Sequence, residues 1–479
     1  MVKNIKYKTR KICCIGAGYV GGPTMAVIAS HCKNISVNVV DINEKRINSW
    51  NSHSLDNLPI YEPGLKEVIK KTRNINLFFS TDIKNAISKS DMVFISVNTP
   101  TKLKGFGAGY ASDLKWVEES ARQVAKYSKG HTIVIEKSTL PVKTAELIKT
   151  ILEAQSENKH SKGTKKSFSV LSNPEFLSEG NAIDDLENPD RVLIGGDDEY
   201  SINELEQIYR TWISKNKILR TNLWSSELSK LSANAFLAQR ISSINSISAI
   251  CEKTGADIKE VSKAIGLDKR IGNRFLSAGP GFGGSCFKKD ILNLVYLCRY
   301  YGLKEVSDYW EQVVLLNNWQ RNRISSLVVK KLFGTVSLKK IAILGFAFKA
   351  NTNDVREAAA INITKDLIEN GAKLLIHDPK VNSEQIETAI DLKCSDDIDN
   401  SNQGSWIFQE DFNKLFFEID AVLVLTEWND YKSIRWDIYS KNMRKPAWVF
   451  DTRNIIDKEK VISSGLNYWG LGDGNNFEN

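Results

Sequence analysis

The sequence predicts an α/β protein, with two doubly wound domains joined by a central helical domain that contains one long helix. Three observations predict it. Apolar strands alternate with helical segments in both the first and the last third of the chain. A glycine turn follows the opening strand of each alternation. Between them, Ser225 to Lys253 runs without proline or glycine. The length agrees, since 479 residues at roughly 150 per domain make about three domains. The borders fall so that residues 1–222, 223–333 and 334–479 form the three parts.

Composition narrows the function classes. Hydrophobic residues at 42% and charged residues at 25% are ordinary for a globular chain and argue against disorder. A formal charge of +8 suits small anions. Nucleic acid would call for a clustered basic face, and the one dense basic run is Lys3 to Lys11. Seven cysteines without a CxxC pair exclude a disulfide framework and a zinc ribbon, so no metal is expected. The odd count leaves one thiol unpaired within the chain and fits a reducing, cytoplasmic setting. Ile12 to Ser30 carries no charge and superficially resembles a membrane anchor. Its four glycines and one proline fit a strand, a turn and a buried helix better, so no membrane partner is expected.

In the first domain Lys11 to Ile15 reads as a strand that runs into Gly16-Ala17-Gly18-Tyr19-Val20-Gly21. A second strand, Val37 to Val40, ends at Asp41, twenty residues after Gly21. That is the spacing of a Rossmann-like dinucleotide fingerprint. Gly16 makes the tight turn, Gly18 lets backbone approach a pyrophosphate, and Gly21 lets helix and strand pack. Asp41 accepts from ribose hydroxyls and repels a 2′-phosphate, which favours NAD over NADP. Further strands are expected at Met92–Val97, Thr132–Ile135, Phe168–Leu171 and Arg191–Ile194. A helix is expected over Asp113–Ser128, with Leu114, Val117, Ala121 and Val124 on one face. Alternation of this kind predicts a parallel sheet. Ligands meet such a sheet at the carboxyl ends of its strands. Three segments stand there: Val97-Asn98-Thr99-Pro100-Thr101, Glu136-Lys137-Ser138-Thr139 and Ser172-Asn173-Pro174-Glu175-Phe176. Each alone reads as a turn; their shared location makes them candidates.

The long central helix is rich in small residues (Ser232, Ala233, Ala235, Ala238, Ser242, Ser243, Ser246). These admit another helix closely and suggest a subunit interface, with a solvated serine stripe as the alternative. Lys230 and Asn234, four apart, share a face. Beyond it comes Gly279-Pro280-Gly281-Phe282-Gly283-Gly284-Ser285-Cys286-Phe287-Lys288-Lys289-Asp290. The glycines let backbone N–H groups approach a ligand. Cys286 opens the next helix, whose terminal partial charge favours a thiolate, and Asp290 follows one turn later. The other cysteines read as packing residues. Of five histidines, only His377 stands in a recognisable strand-end turn, which disfavours a histidine base.

The last domain opens on Lys339 to Gly345 and keeps one glycine of the fingerprint. A helix is expected from Val355 to Glu369, with strands at Lys373–Ile376, Ala421–Leu425 and Trp448–Phe450. A nucleotide fold without the NAD signature suits a different phosphate ligand. Lys349 and Arg453, at strand ends, are candidates to neutralise a diphosphate. Ser383 to Asn413 reads as a long, variable connection.

Taken together, GAGYVGGPT, ISVNTPT, EKSTLPV, SNPEFLSEG, NPDRVLIGG, WSSELSKLSANAFLAQRISSINS, GFGGSCFKKD and ILGFAFK resemble the UDP-glucose/GDP-mannose dehydrogenase family, above all its animal-type UDP-glucose 6-dehydrogenases. The resemblance runs in order through nearly the whole chain. It implies oxidation of UDP-glucose to UDP-glucuronate with two NAD, through a cysteine thiohemiacetal and thioester. Cys286 then matches the nucleophile, and Lys230 and Asn234 the pair that stabilises an oxyanion. Asp290 matches the carboxylate that moves protons through water, with Lys230 the other candidate for the first proton. Thr139 and Glu175 match residues of thioester hydrolysis. The resemblance extends the NAD contacts from the glycine turn, Val97 to Thr101 and Ser138 to Arg46, Glu179, Lys289 and Arg356. On the sugar-nucleotide side it implies Glu175, Phe176, Leu177, Glu179, Phe282, Gly283, Phe348, Lys349 and Arg453, along with Lys230 and Asn234. Arg270 matches an arginine offered to the neighbouring subunit of a homodimer, which in the animal type assembles further into a hexamer. The sequence departs at His53 to Asn57, which looks longer than in animal members, and at Ser277, where those often carry lysine. The chain's end soon after Gly472 makes the dimer the firmer expectation. Another nucleotide sugar, such as GDP-mannose, is the rival substrate. A non-catalytic nucleotide-sugar or NAD sensor is the rival of another class.

Overall fold

A computed structural model describes residues 8–156, 166–398 and 403–474. His160 and most of the basic run from Lys3 lie outside the described residues. The chain divides into two compact units, residues 1–233 with 296–302, and residues 234–295 with 303–479.

The first unit holds an eight-stranded sheet of β1 (Lys11–Ile15), β2 (Ser36–Val40), β3 (Leu77–Ser80), β4 (Met92–Ile95), β5 (His131–Glu136), β6 (Ser167–Ser172), β7 (Val192–Gly195) and β8 (Ile218–Thr221). Its order is β3-β2-β1-β4-β5-β6-β7-β8. From β3 through β6 in that order, every adjacent pair of strands is parallel, as in the doubly wound arrangement. All four side chains of β4 are buried, as expected of a strand covered on both faces. One apolar cluster lies around Met25, Ile28, Trp50 and Phe94; the other lies around Val93, Val117, Val134 and Ile148.

A fully parallel sheet is corrected at β7, which pairs antiparallel with β6 through Ser172 and Gly195. The connection carries only a short helix, Ala182–Glu187, and the chain turns back instead of making a full crossover. Strands β3 and β8 were not anticipated from the sequence. Both are four residues long with exposed positions, too short for a periodic signal.

The helices that matter for the site are α1 (Gly21–His31), α2 (Lys115–Tyr127), α3 (Thr144–Ser156), α4 (Glu199–Tyr209), α5 (Leu223–Thr254), α6 (Ile258–Gly266), α7 (Phe287–Tyr300) and α8 (Lys304–Lys331). The long α5 passes from the first unit into the second between Lys230 and Asn234. Its small residues Ala235, Ala238 and Ser242 are buried, and Ser242 Oγ donates to Val313 O of α8 (2.9 Å), so part of that stripe serves packing within the unit.

The second unit holds a six-stranded parallel sheet of β9 (Lys340–Leu344), β10 (Lys373–His377), β11 (Ser405–Phe408), β12 (Ala421–Val424), β13 (Trp448–Asp451) and β14 (Asn467–Gly470). Its order, β11-β10-β9-β12-β13-β14, repeats that of the first six strands of the chain. Two sequence expectations fail here. The helix expected from Val355 begins at Ala359, because Glu357 is left-handed (φ 52°) and Ala358 is extended. The stretch from Ser383 to Asn413 is not merely a connection. It contains helix Ser383–Ile390, closed by a capping box between Asn382 and Gln385, and the edge strand β11 with Trp406 fully buried. Among the described residues no helix is long and apolar enough to cross a membrane.

Candidate active site

In the first unit every named segment leaves the carboxyl end of a strand. Gly16 has φ 109°, and a Cβ there would come 2.1 Å from Ser96 O; one at Gly21 would come 2.1 Å from Gly16 O. Both glycines are required by close backbone approach. Gly18 differs, because a Cβ there would meet nothing within 4 Å. Its bare backbone faces open space at the start of α1, whose N-terminus has no side-chain cap. At the end of β2, Asp41 is 8% exposed. Its carboxylate accepts from Ala17 N (2.9 Å), Asn43 N (2.9 Å) and Arg46 Nη1 (3.0 Å). An open glycine, an uncapped helix terminus and an acid one strand away fit the pyrophosphate and ribose of a dinucleotide.

The loops after β4, β5 and β6 are tied together. Ser138 Oγ donates to Val97 O (2.7 Å), and Thr99 Oγ1 donates to Thr139 O (3.1 Å). Glu175 is 5% exposed, and its Oε1 lies 3.4 Å from Lys230 Nζ on α5. Its Oε2 has no hydrogen-bond partner among the described residues. Phe176 is clasped by Arg191, 3.8 Å from its ring centre, and by Lys230 at 5.4 Å. Glu175, Phe176 and Lys230 therefore form one cluster at the end of β6, while Thr139 is tied to Thr99 of the loop after β4. Leu177 and Glu179 follow, half-buried.

Two carboxyl groups lie behind this cluster. Glu136 ends β5, and Glu227 stands one turn before Lys230. Glu227 accepts from Lys143 N and Ala145 N (both 2.8 Å) at the start of α3. Among the described residues Glu136 Oε2 finds no hydrogen-bond partner, and burial together with the charge of Glu227 pushes its pKa well up. Both effects favour the protonated form of Glu136. Nothing in the sequence singled out Glu227, which reads as a surface charge on a serine-rich helix.

In the second unit Cys286 directly precedes α7. Its carbonyl accepts from Asp290 N (2.9 Å), the first turn of the helix, and its half-buried Sγ lies 3.4 Å from Ser285 Oγ. Asp290 is 1% exposed. Its Oδ2 accepts from Asn234 Nδ2 (2.6 Å), and its Oδ1 lies 3.4 Å from Lys289 Nζ. The other six cysteines form no disulfide; Cys13, Cys14, Cys32, Cys251 and Cys298 are buried and Cys394 is half-buried. Burial pushes the Cys14 thiol up to about 12, so it stays protonated.

The glycine loop is held rigidly. Asn317 Oδ1 accepts from Phe282 N (2.8 Å), Gln320 Nε2 donates to Gly279 O (2.9 Å), and Arg321 Nη2 donates to Phe282 O (2.6 Å). A Cβ at Gly283 would come 2.6 Å from Glu357 O. Asn317, Gln320 and Arg321 were missed because a polar run on a helix looks solvated; their i, i+3, i+4 spacing was the available signal. Arg453 Nε donates to Leu425 O (2.8 Å) and Nη2 to Phe348 O (3.0 Å), which ties the end of β13 to Phe348. Lys349 is half-buried, its Nζ 5.6 Å from the Phe348 ring centre. Lys289 and Arg356, both named for the cofactor, stand on this second unit, where Arg356 is bidentate on Asp354. Arg270, after α6, projects an exposed side chain held by Asp268.

Residues 10–213, 224–319 and 342–458 match, in order, the NAD-binding, central and UDP-binding domains of the UDP-glucose/GDP-mannose dehydrogenase family. The UDP-glucose 6-dehydrogenase of Gallus gallus is 55% identical over 457 residues, which cover 94% of this chain and 90% of that one. UDP-glucose 6-dehydrogenase 4 of Arabidopsis thaliana is 51% identical over 474 residues, covering 96% of this chain and 97% of the other. Among solved structures, a UDP-glucose dehydrogenase from the archaeon Pyrobaculum islandicum matches with a TM-score of 0.81 at 28% identity, over 98% of this chain and 99% of that one.

Proposed function

This chain belongs to the UDP-glucose/GDP-mannose dehydrogenase family, and from that premise we propose that it oxidises UDP-glucose to UDP-glucuronate through a covalent bond to Cys286. The observation that carries the proposal is the half-buried Cys286 at the start of α7, one turn from an Asp290 carboxylate fixed by Asn234.

NAD belongs to the first unit, held by the turn from Gly16 to Gly21, by Asp41 and by the loop from Val97 to Thr101. When bound, it takes up one hydride in each of two oxidations. Phe282, Gly283, Phe348, Lys349 and Arg453 hold the nucleotide sugar. Asp290 receives the proton that the C6 hydroxyl loses in the first oxidation, by way of a water. Cys286 Sγ then bonds to the C6 aldehyde, and Lys230 and Asn234 stabilise the oxygen charge of the thiohemiacetal. The second oxidation leaves a thioester. Glu175, assisted by Thr139, takes a proton from the water that attacks the thioester carbon. The C–S bond breaks, the acid leaves, and Cys286 is restored. The three-part division stands with this proposal, as does a cytoplasmic homodimer in which the exposed Arg270 reaches the partner's substrate.

Two NADH per UDP-glucose consumed are expected, with GDP-mannose left unoxidised in a substrate panel. One NADH with release of aldehyde would overturn the thioester. Cys286→Ala should abolish acid formation yet retain UDP-glucose binding; undiminished glucuronate would move the nucleophile elsewhere.

A further inference from the structure

Lys137 is a lysine almost wholly buried inside the first unit. It follows the last residue of β5 and is 3% exposed. Its Nζ donates to Asn173 Oδ1 (3.1 Å) and to Tyr209 Oη (3.4 Å), and among the described residues it makes no direct ion pair. An ammonium has three protons to donate, and two are used. Burial lowers its pKa to about 8, while the nearby charge of Glu175 works in the other direction. A buried cation without a counter-ion in contact weakens a fold rather than strengthening it, so packing gives no reason for a lysine here.

Its partners suggest the reason. Asn173 is fully buried at the end of β6, its Nδ2 donates to Leu193 O (2.8 Å), and its Oδ1 also accepts from Tyr209 Oη (2.6 Å). This knot fixes the backbone just before Pro174 and Glu175. Glu175 in turn is buried with Oε2 unpartnered and with positive charge from both Lys230 and Lys137. The two ammonium groups attract a carboxylate so placed and hold its orientation.

We propose that Lys137 is a positioning residue for thioester hydrolysis, which sets the Asn173-Pro174-Glu175 turn and, by its buried positive charge, orients the Glu175 carboxylate that takes a proton from water. The inference rests on Glu175 being the base in that step. In the step, the water oxygen bonds to the thioester carbon, its proton passes to Glu175, and the C–S pair of electrons returns to Cys286. Lys137 bonds to nothing and loses no proton. Four groups bear on its charge: Cys14 from β1, Glu175 from the loop after β6, Tyr209 from α4 and Lys230 from α5. Cys14 and Tyr209 are both pushed up by burial and stay neutral through this range. The charge of Lys137 is present below about pH 8 and is lost above it.

The test mixes the full-length enzyme with saturating NAD and UDP-glucose and follows NADH and intact protein mass together. In Lys137→Met, the first-turnover burst of NADH should form as in the wild type, while hydrolysis, and with it NADH formation in later turnovers, slows by about 10- to 100-fold. A uronyl adduct then accumulates on Cys286. Hydroxylamine, which needs no base, should discharge it as fast as it discharges the wild-type adduct. Wild-type hydrolysis should fall as pH rises through about 8, and Lys137→Met should lack that fall. Unchanged hydrolysis in the variant, or oxidation and hydrolysis slowed alike, would sink the role. A variant that does not fold leaves the wild-type pH profile to decide, and a profile without the fall also sinks it. These failures spare the proposed reaction if the wild type still yields two NADH. A wild type that never forms the adduct removes the thioester itself.

Discussion

The two sheets share one strand order and one device at its centre, yet only the first keeps that device open. In both, a glycine with positive φ leaves the first strand, Gly16 at 109° and Gly345 at 91°. In both, its N–H donates 2.8 Å to the end of the second strand, to Val40 O or His377 O. In both, an aspartate beyond that second strand accepts from the glycine turn. Asp41 takes Ala17 N and Asn43 N and leaves room beside an open Gly18. Asp378 is consumed by Phe346 N, Ala347 N, Lys380 N, Val381 N and Trp428 Nε1, and the fully buried Phe346 and Tyr431 fill its surroundings. The helix after Gly16 begins five residues on, at Gly21; the helix after Gly345 waits until Ala359. One topology thus yields a dinucleotide cradle where the turn is short and bare, and a sealed structural joint where it is long and aromatic.

The largest effect should come from the sealed site. Asp378→Ala leaves five donors without their acceptor and should cost about 3–5 kcal/mol of stability by denaturant titration. Asp41→Ala should do the reverse, with NAD affinity down about 100-fold by calorimetric titration and a much smaller loss of stability. If both variants lost stability equally, the distinction between cradle and joint would be wrong. Gly18→Ala sharpens it further. Its Cβ meets nothing within 4 Å, so the melting temperature should hold, while the lost approach to a pyrophosphate weakens NAD binding about tenfold.

The cradle was legible in the sequence because all its parts are local: strand, three glycines, helix and an acid within thirty-odd residues of roughly fixed spacing. The cysteine loop was legible for the same reason, with its glycines running straight into Cys286 and a fresh helix. The joint was not. Asp378 showed only as a turn beside His377, because its five donors come from residues between 346 and 428. The edge strand β11 was hidden in polar sequence, since only Trp406 and Ser405 turn fully inward. The clamp of Asn317, Gln320 and Arg321 on the glycine loop is likewise a long-range match that no window of sequence displays.

The smallest effect is the most discriminating, because it sets the fifth strand of each sheet against the other. Glu136 ends β5 and Asp451 ends β13, both buried, and burial raises the pKa of each. Asp451 is met by donors, Arg453 N (3.0 Å) and Ile456 N (2.7 Å), which favour its charged form and limit the rise. Glu136 meets another carboxyl instead, Glu227, whose charge adds to the rise. For an acid with a raised pKa, the folded state binds more protons than the unfolded one. Stability is therefore full below the ordinary glutamate value of 4.5 and declines as pH rises toward the folded value. The decline has a limiting slope of about 1.4 kcal/mol per pH unit for one proton. Glu136→Gln replaces the shared proton with an amide N–H that still donates to Glu227, so its stability should fall less between pH 6 and pH 8 than that of the wild type. Asp451→Asn should gain nothing, because its new NH2 faces donors. Parallel pH profiles for wild type and Glu136→Gln would show that the carboxyl pair holds no proton, and that both fifth strands end in ordinary charged acids.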